Sequence, residues 1–180
     1  MDTEKWTDKI DSITDNFKQT FGKLSIEQLN WKPNEQIWSI AQNIDHIIVL
    51  NETYFPTIDS MQQGTYNAPF IGKAGFMVNF FGKMIFKSVQ PDRKRKIKTF
   101  HIWEPTSSEV KADLLIRFGN HQANLKERIS NCQDLLDKRA VISSPANKNI
   151  VYTLETAFDI ILAHEQRHFE QAKETLSKQS

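Results

Sequence analysis

Four long segments of the chain carry apolar residues at intervals of three or four positions, and this periodicity restricts the fold more than any other feature of the sequence. Such spacing places the apolar side chains on one face of an α-helix, whereas a half-buried strand would alternate apolar and polar residues. No alternating run of convincing length is present, and residues 139–142 form at most a short extended piece. The periodic segments span residues 3–21, 37–63, 106–131 and 151–175. We therefore predict an all-α protein built as a four-helix bundle.

A short helical turn is predicted to connect the first two of these helices. It begins at Ser25, ends before Pro33, and is expected to bury Leu29 and Trp31. In the second periodic segment, Pro56 lacks a backbone N–H and its ring clashes with the preceding turn. We therefore expect a kink or an interruption of the second helix at this position.

Residues 64–105 differ in composition from the rest of the chain, since they hold four of the six glycines and are rich in phenylalanine. A short, very apolar helix is predicted at residues 74–88, followed by a basic run at 93–98. Two interpretations stay open, a cap over the end of the bundle with a charged loop, or the wall of a substrate pocket, and we favour the cap. The basic run is short and lacks interleaved aromatic residues, so it is weak evidence for nucleic-acid binding.

Charge and cysteine content exclude several classes of function. The 23 basic and 22 acidic residues leave a net charge of +1, so no global field recruits nucleic acid or an anionic membrane. No apolar run approaches the roughly 18 to 20 residues that a membrane span needs, and the first helix is amphipathic, unlike a signal sequence. We expect one cytoplasmic domain over residues 1–180 that acts on a small molecule, without nucleic-acid or membrane partners. Pairing into a homodimer is left open.

Two histidines four positions apart near the C-terminus suggest a metal site. His164 and His168 point the same way from one helix, one turn apart, which lets both bind a single ion. A lone histidine in an inward-facing stripe is usually a core residue, but two in register are costly to bury unpaired. His46, at the edge of the second helix's stripe, would complete a set of three imidazoles if that helix faces the last one. Such a set suits zinc or nickel and leaves positions open for water or substrate.

The same C-terminal stretch has the H-E-x-x-H spelling of zinc metalloproteases, in which the glutamate is the general base. That class needs a third ligand beyond the helix, and only twelve residues follow His168. Glu165 also lies roughly 80 to 100 degrees round the helix from the two histidines. It is therefore only a weak catalytic candidate that would orient a ligand or a bound water, and we favour a surface or helix-helix salt bridge for it. Gln171 either hydrogen-bonds into the site or packs.

The remaining reactive side chains carry weaker signals. His101 and His121 have no partner at metal-ligand spacing, so we expect them to be structural or exposed. Cys132 is the only cysteine, which excludes an internal disulfide and a cysteine-based zinc site. No sequence motif surrounds it, and we expect an inert thiol.

Two separated motifs resemble those of the DinB-like family, and the match extends over nearly the whole length of the chain. The first motif is formed by Leu29-x-Trp31-x-Pro33, Trp38-Ser39-Ile40 and His46. The second is His164-Glu165-x-x-His168-x-x-Gln171. Two motifs in the right order are unlikely to arise by chance.

The resemblance implies an up-down-down-up four-helix bundle. The extra short helical insertion at 64–105 is the part that the resemblance fixes least, and we expect it to shape specificity. The resemblance also implies that His46, His164 and His168 bind a divalent metal ion. Characterised relatives include isomerases and thiol-dependent transferases that use bacillithiol, mycothiol or glutathione. The expected function is thus a transferase or hydrolase whose ion activates a low-molecular-weight thiol or a water, for example a thiol S-transferase acting on a small apolar electrophile. The alternative, which we favour less, is a non-catalytic, stress-related metal- or ligand-binding protein.

Overall fold

The computed structural model describes residues 3–91, 103–105, 109 and 113–179, and in this part of the chain helices predominate. This confirms the all-α prediction. None of the described helices is both long and apolar enough to cross a membrane. In chain order the elements are α1 (Glu4–Phe21), α2 (Ile26–Asn30), α3 (Ile40–Glu52), α4 (Phe55–Gln62), a one-turn 3₁₀ helix (Phe70–Lys73), α5 (Gly75–Ser88), α6 (Leu114–Ser130), α7 (Gln133–Asp137), β1 (Val141–Ser144), β2 (Asn147–Thr153) and α8 (Leu154–Leu176).

The first and last helices of the bundle, α1 and α8, run in the same direction. Lys5 near the start of α1 pairs with Glu155 near the start of α8, at 3.1 Å. Further along, the rings of Phe17 and Phe169 meet edge to face with their centroids 5.1 Å apart. Because both contacts advance together along the two helices, α1 and α8 are parallel neighbours.

Helix α3 runs in the opposite direction to α8. Asn43, in the first turn of α3, hydrogen-bonds to His168 in the second half of α8. Near the other end of α3, Asn51 donates to Glu165, which precedes His168 in the chain. The contact positions rise along α3 while they fall along α8, so the two helices are antiparallel.

Helix α6 runs parallel to α3 and completes the bundle. The side chain of Arg117 donates to Asp45 at 3.3 Å, and one turn later His121 lies 3.2 Å from Asn51. The four long helices therefore run up, down, down and up, which is the arrangement that the resemblance implies.

Aromatic side chains fill the centre of the bundle between α1, α6 and α8. Phe17 is fully buried, and its ring lies against those of Phe21, Phe118 and Phe169 at centroid distances of 4.8 to 5.7 Å. Tilted and edge-to-face pairs at this range add to the free energy gained from burying apolar surface. The periodic apolar residues of the first predicted helix thus occupy the core.

The second predicted helix is two helices in the structure. It begins at Ile40, three residues later than predicted, because Ser39 forms a capping box with Gln42 through bonds of 3.0 and 3.1 Å. It is interrupted as predicted, since α3 ends at Glu52 and Pro56 lies in the first turn of α4. A proline is tolerated there because that N–H has no partner within the helix.

The prediction that both anchors of the connecting turn are buried is wrong for one of them. Leu29 is buried, but Trp31 is 36% exposed. Helix α2 has only five residues, and the backbone of Trp31 is already extended. The tryptophan therefore leaves the helical register that holds Leu29 against the core.

The final helix starts three residues later than predicted, because residues 151–153 belong to a β-hairpin that the sequence did not reveal. Strands β1 and β2 pair antiparallel, with Ile142 opposite Tyr152. β-Branched and aromatic residues suit a strand once a partner strand is present. Thr153 then ends the strand and caps α8, since its Oγ1 accepts a hydrogen bond from the backbone N–H of Thr156 at 3.1 Å.

The predicted apolar helix at 74–88 is confirmed as α5, which packs against β2 and the start of α8. Gly82 lies at this contact, where an added Cβ would be 3.2 Å from Thr156 Cγ2 and 3.4 Å from Tyr152 Cβ. Glycine therefore lets α5 approach closely. The basic run at 93–98, His101 and the predicted helix start at 106–108 lie outside the described residues, and the described part of the third long helix begins with α6.

Replacement of Phe17 by alanine should destabilise the protein by about 3 to 5 kcal/mol, because it leaves a cavity among three other aromatic rings. Urea unfolding followed by circular dichroism measures this change. Phe80→Ala is the matched control, since Phe80 is 58% exposed and its loss should change the free energy of unfolding by less than about 0.5 kcal/mol. Equal losses in both variants would contradict this assignment of the core.

Candidate metal centre

The structure brings together the three histidines singled out from the sequence. His46 comes from α3, and His164 and His168 come from successive turns of α8. The Nε2 atom of His164 lies 3.2 Å from that of His46 and 3.0 Å from that of His168. One ring nitrogen from each residue falls within 4.8 Å of the other two, and the side chains are only 2 to 7% exposed. The antiparallel packing of α3 and α8 produces this convergence.

The outer nitrogen of His46 is held by a backbone carbonyl. Its Nδ1–H donates to the carbonyl oxygen of Trp103, whose indole N–H in turn donates to Thr53 Oγ1 at 3.2 Å. A carbonyl can only accept, so the proton of the neutral imidazole must be on Nδ1. The Nε2 atom of His46 is therefore left with a free lone pair directed into the cluster.

An asparagine performs the same task for His168. The Nδ1–H of His168 donates to Asn43 Oδ1 at 2.8 Å. The amide of Asn43 is itself oriented, because its Nδ2 donates to the Ser39 carbonyl at 2.8 Å, one turn back along the same helix. With its amide orientation fixed, Asn43 can only accept from His168. The Nε2 of His168 is then also unprotonated.

His164 occupies the middle of the cluster and differs from its two neighbours. Its Nδ1 is buried and has no hydrogen-bond partner among the described residues. Its Nε2 faces two unprotonated nitrogens, and one Nε2–H cannot make two good hydrogen bonds at once. A divalent cation would satisfy all three lone pairs. Three nitrogens bound to zinc at 2.0 to 2.1 Å in a tetrahedral arrangement are about 3.3 Å apart, close to the spacing seen here.

Burial keeps the three imidazoles in the neutral form that binds metal. It lowers the pKa of His46 to about 4, against the opposing effect of its bond to Trp103. Burial also holds the pKa values of His164 and His168 well below the ordinary value, and the neighbouring histidines and Arg167 lower them further. Neutral imidazole is a ligand for zinc and nickel, so this buried cluster could hold a divalent metal ion.

An aromatic side chain covers one side of the cluster. The ring of Trp38 lies 4.8 Å from that of His46 and stacks on that of His168 at 5.8 Å, with an interplanar angle of 20°. Trp38 immediately precedes the capping residue Ser39, so the start of α3 fixes its position. It restricts the rotation of two of the three imidazoles.

Among the described residues, Glu165 does not form the surface or helix-helix salt bridge that was favoured from the sequence. Its side chain is fully buried and accepts hydrogen bonds from Asn51 at 2.7 Å and Gln122 at 3.0 Å. Burial raises the pKa of this carboxyl to about 7, although both amides stabilise the ionised form. Glu165 thus links α8 to α3 and α6 beside the histidine cluster. The described contacts do not place it in the position of a protease general base.

Two other sequence candidates, His121 and Cys132, are not part of the three-histidine cluster. His121 is buried, with Nε2 3.2 Å from Asn51 and its ring stacked on Phe55. Cys132 is also buried, which raises the pKa of its thiol, and it accepts a hydrogen bond from Gln62. Both observations agree with the structural and inert roles expected for these residues.

Two residues that shape the site were missed in the sequence. Asn43 lies three positions before His46, on the same face of α3, and this spacing could have indicated a partner for a ligand. Trp103 is 57 positions away from His46 and acts through its backbone carbonyl. No side-chain pattern could have revealed it.

Comparison with known proteins supports the resemblance. A family model described as the DinB superfamily matches residues 9–172, which include all three histidines. No curated protein and no solved structure gives a significant match.

The metal-free protein should lose stability as the pH falls from about 6.5 towards 4. Below pH 6.5 the unfolded chain protonates four histidines that the folded protein keeps neutral, namely His46 and His121, each with a pKa of about 4, and His164 and His168, whose pKa values lie well below the ordinary value. Glu165 has the opposite effect, because its pKa of about 7 means that its contribution is lost as the pH rises. The loss of stability caused by four imidazoles on acidification is larger than the gain caused by one carboxyl, so the free energy of unfolding decreases.

Urea unfolding of chelator-treated protein at several pH values measures this dependence. In Glu165→Gln the opposing effect is removed, so the loss of stability on acidification should be steeper than in the parent protein. A free energy of unfolding that stays constant or rises as the pH falls through this range would contradict the assignment of neutral buried imidazoles.

Proposed function

The chain belongs to the DinB superfamily, and from this premise we propose that it is a metal-dependent enzyme in which His46, His164 and His168 hold one divalent ion, zinc or nickel. The observation that carries the proposal is the orientation of the imidazoles. Two of them are held through Nδ1 by acceptors, so that unprotonated Nε2 atoms meet at the third. A core that only needed to bury three histidines would not place their lone pairs against one another.

The surrounding residues support binding in defined ways. The Trp103 carbonyl and the Asn43 amide fix the tautomers, and such partners of metal-binding histidines raise the basicity of the ligand nitrogen. Trp38 lies against the rings of His46 and His168 and restrains them from one side. Glu165 holds α8 at its distance from α3 and α6, so we infer that it is a positioning residue rather than a general base.

The chemistry proposed for this site is the transfer of a small thiol to an apolar electrophile in the cytoplasm. Three protein ligands are typical of catalytic sites, and a bound ion would lower the pKa of a thiol or a water so that it is a nucleophile near neutral pH. In the transfer the thiol loses its proton to solvent, its sulfur forms a bond to the electrophilic carbon, and the leaving group departs with the bonding electrons. Bacillithiol, mycothiol and glutathione are the candidate thiols, and hydrolysis is the corresponding reaction with water.

One observation favours a second candidate, a non-catalytic metal- or ligand-binding protein. The three histidines are only 2 to 7% exposed, and a substrate needs a path to the ion. In a non-catalytic role the ion would join α3 to α8 and stabilise the bundle. The two candidates share a metal site and differ in turnover.

His46→Ala should lower the affinity for zinc and nickel by at least about 100-fold, because it removes one of three ligands from a preorganised site. Isothermal titration of chelator-treated protein measures the affinity, and circular dichroism checks the fold. Cys132→Ala is the matched control, since it removes a buried potential ligand outside the cluster and should leave metal affinity unchanged. Unchanged binding in His46→Ala would remove the basis of the proposal.

The same proteins decide between the two candidates. The metal-loaded parent is assayed with a monochlorobimane-type electrophile and each of the three thiols. Turnover that disappears on chelation and in His46→Ala, but persists in Cys132→Ala, supports the enzyme. Tight metal binding without turnover with any thiol supports the non-catalytic protein.

Asn43→Ala should weaken metal binding by about 10- to 100-fold while leaving all three ligands in place, because His168 loses the acceptor that fixes its tautomer. Asn124→Ala is the control, as it removes an exposed asparagine of α6 outside the buried polar residues that surround the cluster. Equal affinities in Asn43→Ala and the parent protein would show that the amide does not orient the ligand.

A further inference from the structure

The outer face of α5 and the 3₁₀ helix before it exposes an unusual amount of apolar surface. Phenylalanine and methionine side chains are usually buried, and the apolar residues that soluble proteins do expose mostly occur singly. Here five lie within seventeen residues. This apolar face comprises Phe70 (83% exposed), Phe76 (75%), Phe80 (58%), Met84 (42%) and Phe86 (38%).

The helix that carries this apolar face is firmly packed on its other side. Val78 and Gly82 are buried, and Gly82 lies against Tyr152 and Thr156. At the C-terminal end of α5, Arg167 of α8 donates to the carbonyl of Ser88 at 3.0 Å. The inner side of α5 therefore fixes which residues face outward, so rotating the helix to bury the phenylalanines would break these contacts.

Basic residues accompany the apolar face, and acidic residues are absent from this part of the sequence. Residues 60–91 contain three lysines and no aspartate or glutamate. Lys83 follows Phe80 by three positions and Phe76 by seven, and Lys87 follows Phe80 by seven, which places both lysines on the same side of α5 as the phenylalanines. Lys73 lies over the ring of Phe70 at 5.3 Å.

The combination of exposed aromatic rings and lysines distinguishes between the partners that could bind this apolar face. A second copy of the chain, packed on the same face by two-fold symmetry, would bring lysines of both copies together with no acidic partner from this region. An acidic protein segment without apolar side chains would pair with the lysines but leave the phenylalanines exposed. The surface of an anionic lipid bilayer accepts both, since phosphates bind the lysines and the acyl boundary takes up aromatic rings.

We propose that the apolar face of α5 binds the surface of an anionic phospholipid bilayer, with the helix lying in the plane of the interface. Phe76 and Phe80 enter the acyl boundary, and Lys83 and Lys87 extend towards the headgroup phosphates. This contact differs from spanning, which no described helix can do. The net charge of +1 for the whole chain does not indicate this contact with a bilayer, because the positive charge of this region is balanced elsewhere in the sequence.

Sedimentation of the 180-residue chain with lipid vesicles tests the proposal. We expect binding to phosphatidylcholine vesicles that contain about 30 mol% phosphatidylglycerol, much weaker binding to phosphatidylcholine alone, and release as the salt concentration rises. The double variant Phe76→Ser and Phe80→Ser should bind at least about ten-fold more weakly. The double variant Lys83→Glu and Lys87→Glu should show a similar loss.

Matched controls come from exposed residues elsewhere on the bundle. Ile116→Ser replaces a 69% exposed apolar residue of α6, and Lys9→Glu reverses an exposed charge of α1. Both should bind anionic vesicles like the parent protein, and circular dichroism confirms that every variant is folded. Absence of binding to anionic vesicles, equal binding to neutral ones, or parent-like binding in the α5 variants would each overturn the proposal. So would a dimer, detected by light scattering, that only the phenylalanine variant converts to a monomer.

Discussion

The contact between α3 and α8 is the interaction on which the rest of the structure depends. Antiparallel packing brings one histidine of α3 opposite two successive turns of α8, and it places Asn43 within hydrogen-bond distance of His168. Burying three imidazoles is unfavourable unless their polar atoms are satisfied. Here two outer nitrogens have acceptors, and the inner nitrogens meet one another. The centre of the bundle therefore holds three ring nitrogens that hydrogen bonds to one another cannot all satisfy, and a divalent cation would bind all three.

A second layer of buried polar residues holds this geometry in place. Glu165 accepts hydrogen bonds from Asn51 of α3 and Gln122 of α6, and Asn51 also contacts His121. These bonds join three helices directly beside the cluster. Polar networks of this kind are sensitive to small displacements, because each lost bond leaves a buried group without a partner. A shift of α8 would therefore break the hydrogen bonds of Glu165 as well as separate the histidines. The buried polar residues thus help to keep the three ligand nitrogens in position.

The face of α5 and the histidine cluster lie on different parts of the fold, and the two features make different demands on the sequence. The cluster requires neutral imidazoles, closed packing and fixed tautomers. The face requires exposed phenylalanines and lysines on a helix that Gly82 lets approach β2 and α8 closely. The two proposals therefore rest on different observations, and each can fail without the other.

The periodic spacing of apolar residues was enough to predict four long helices, the interruption at Pro56 and the apolar helix α5, because a helix face repeats locally in the sequence. The two motifs that carry the family resemblance likewise indicated His46, His164 and His168. Residues 151–153 were predicted to be helical because a strand of this kind is stabilised only by its partner β1, which is not adjacent in sequence. The burial of Glu165 and the carbonyl of Trp103 at His46 were also beyond prediction. Local spacing determines which face a side chain occupies, but only the packing of distant helices decides what that face meets.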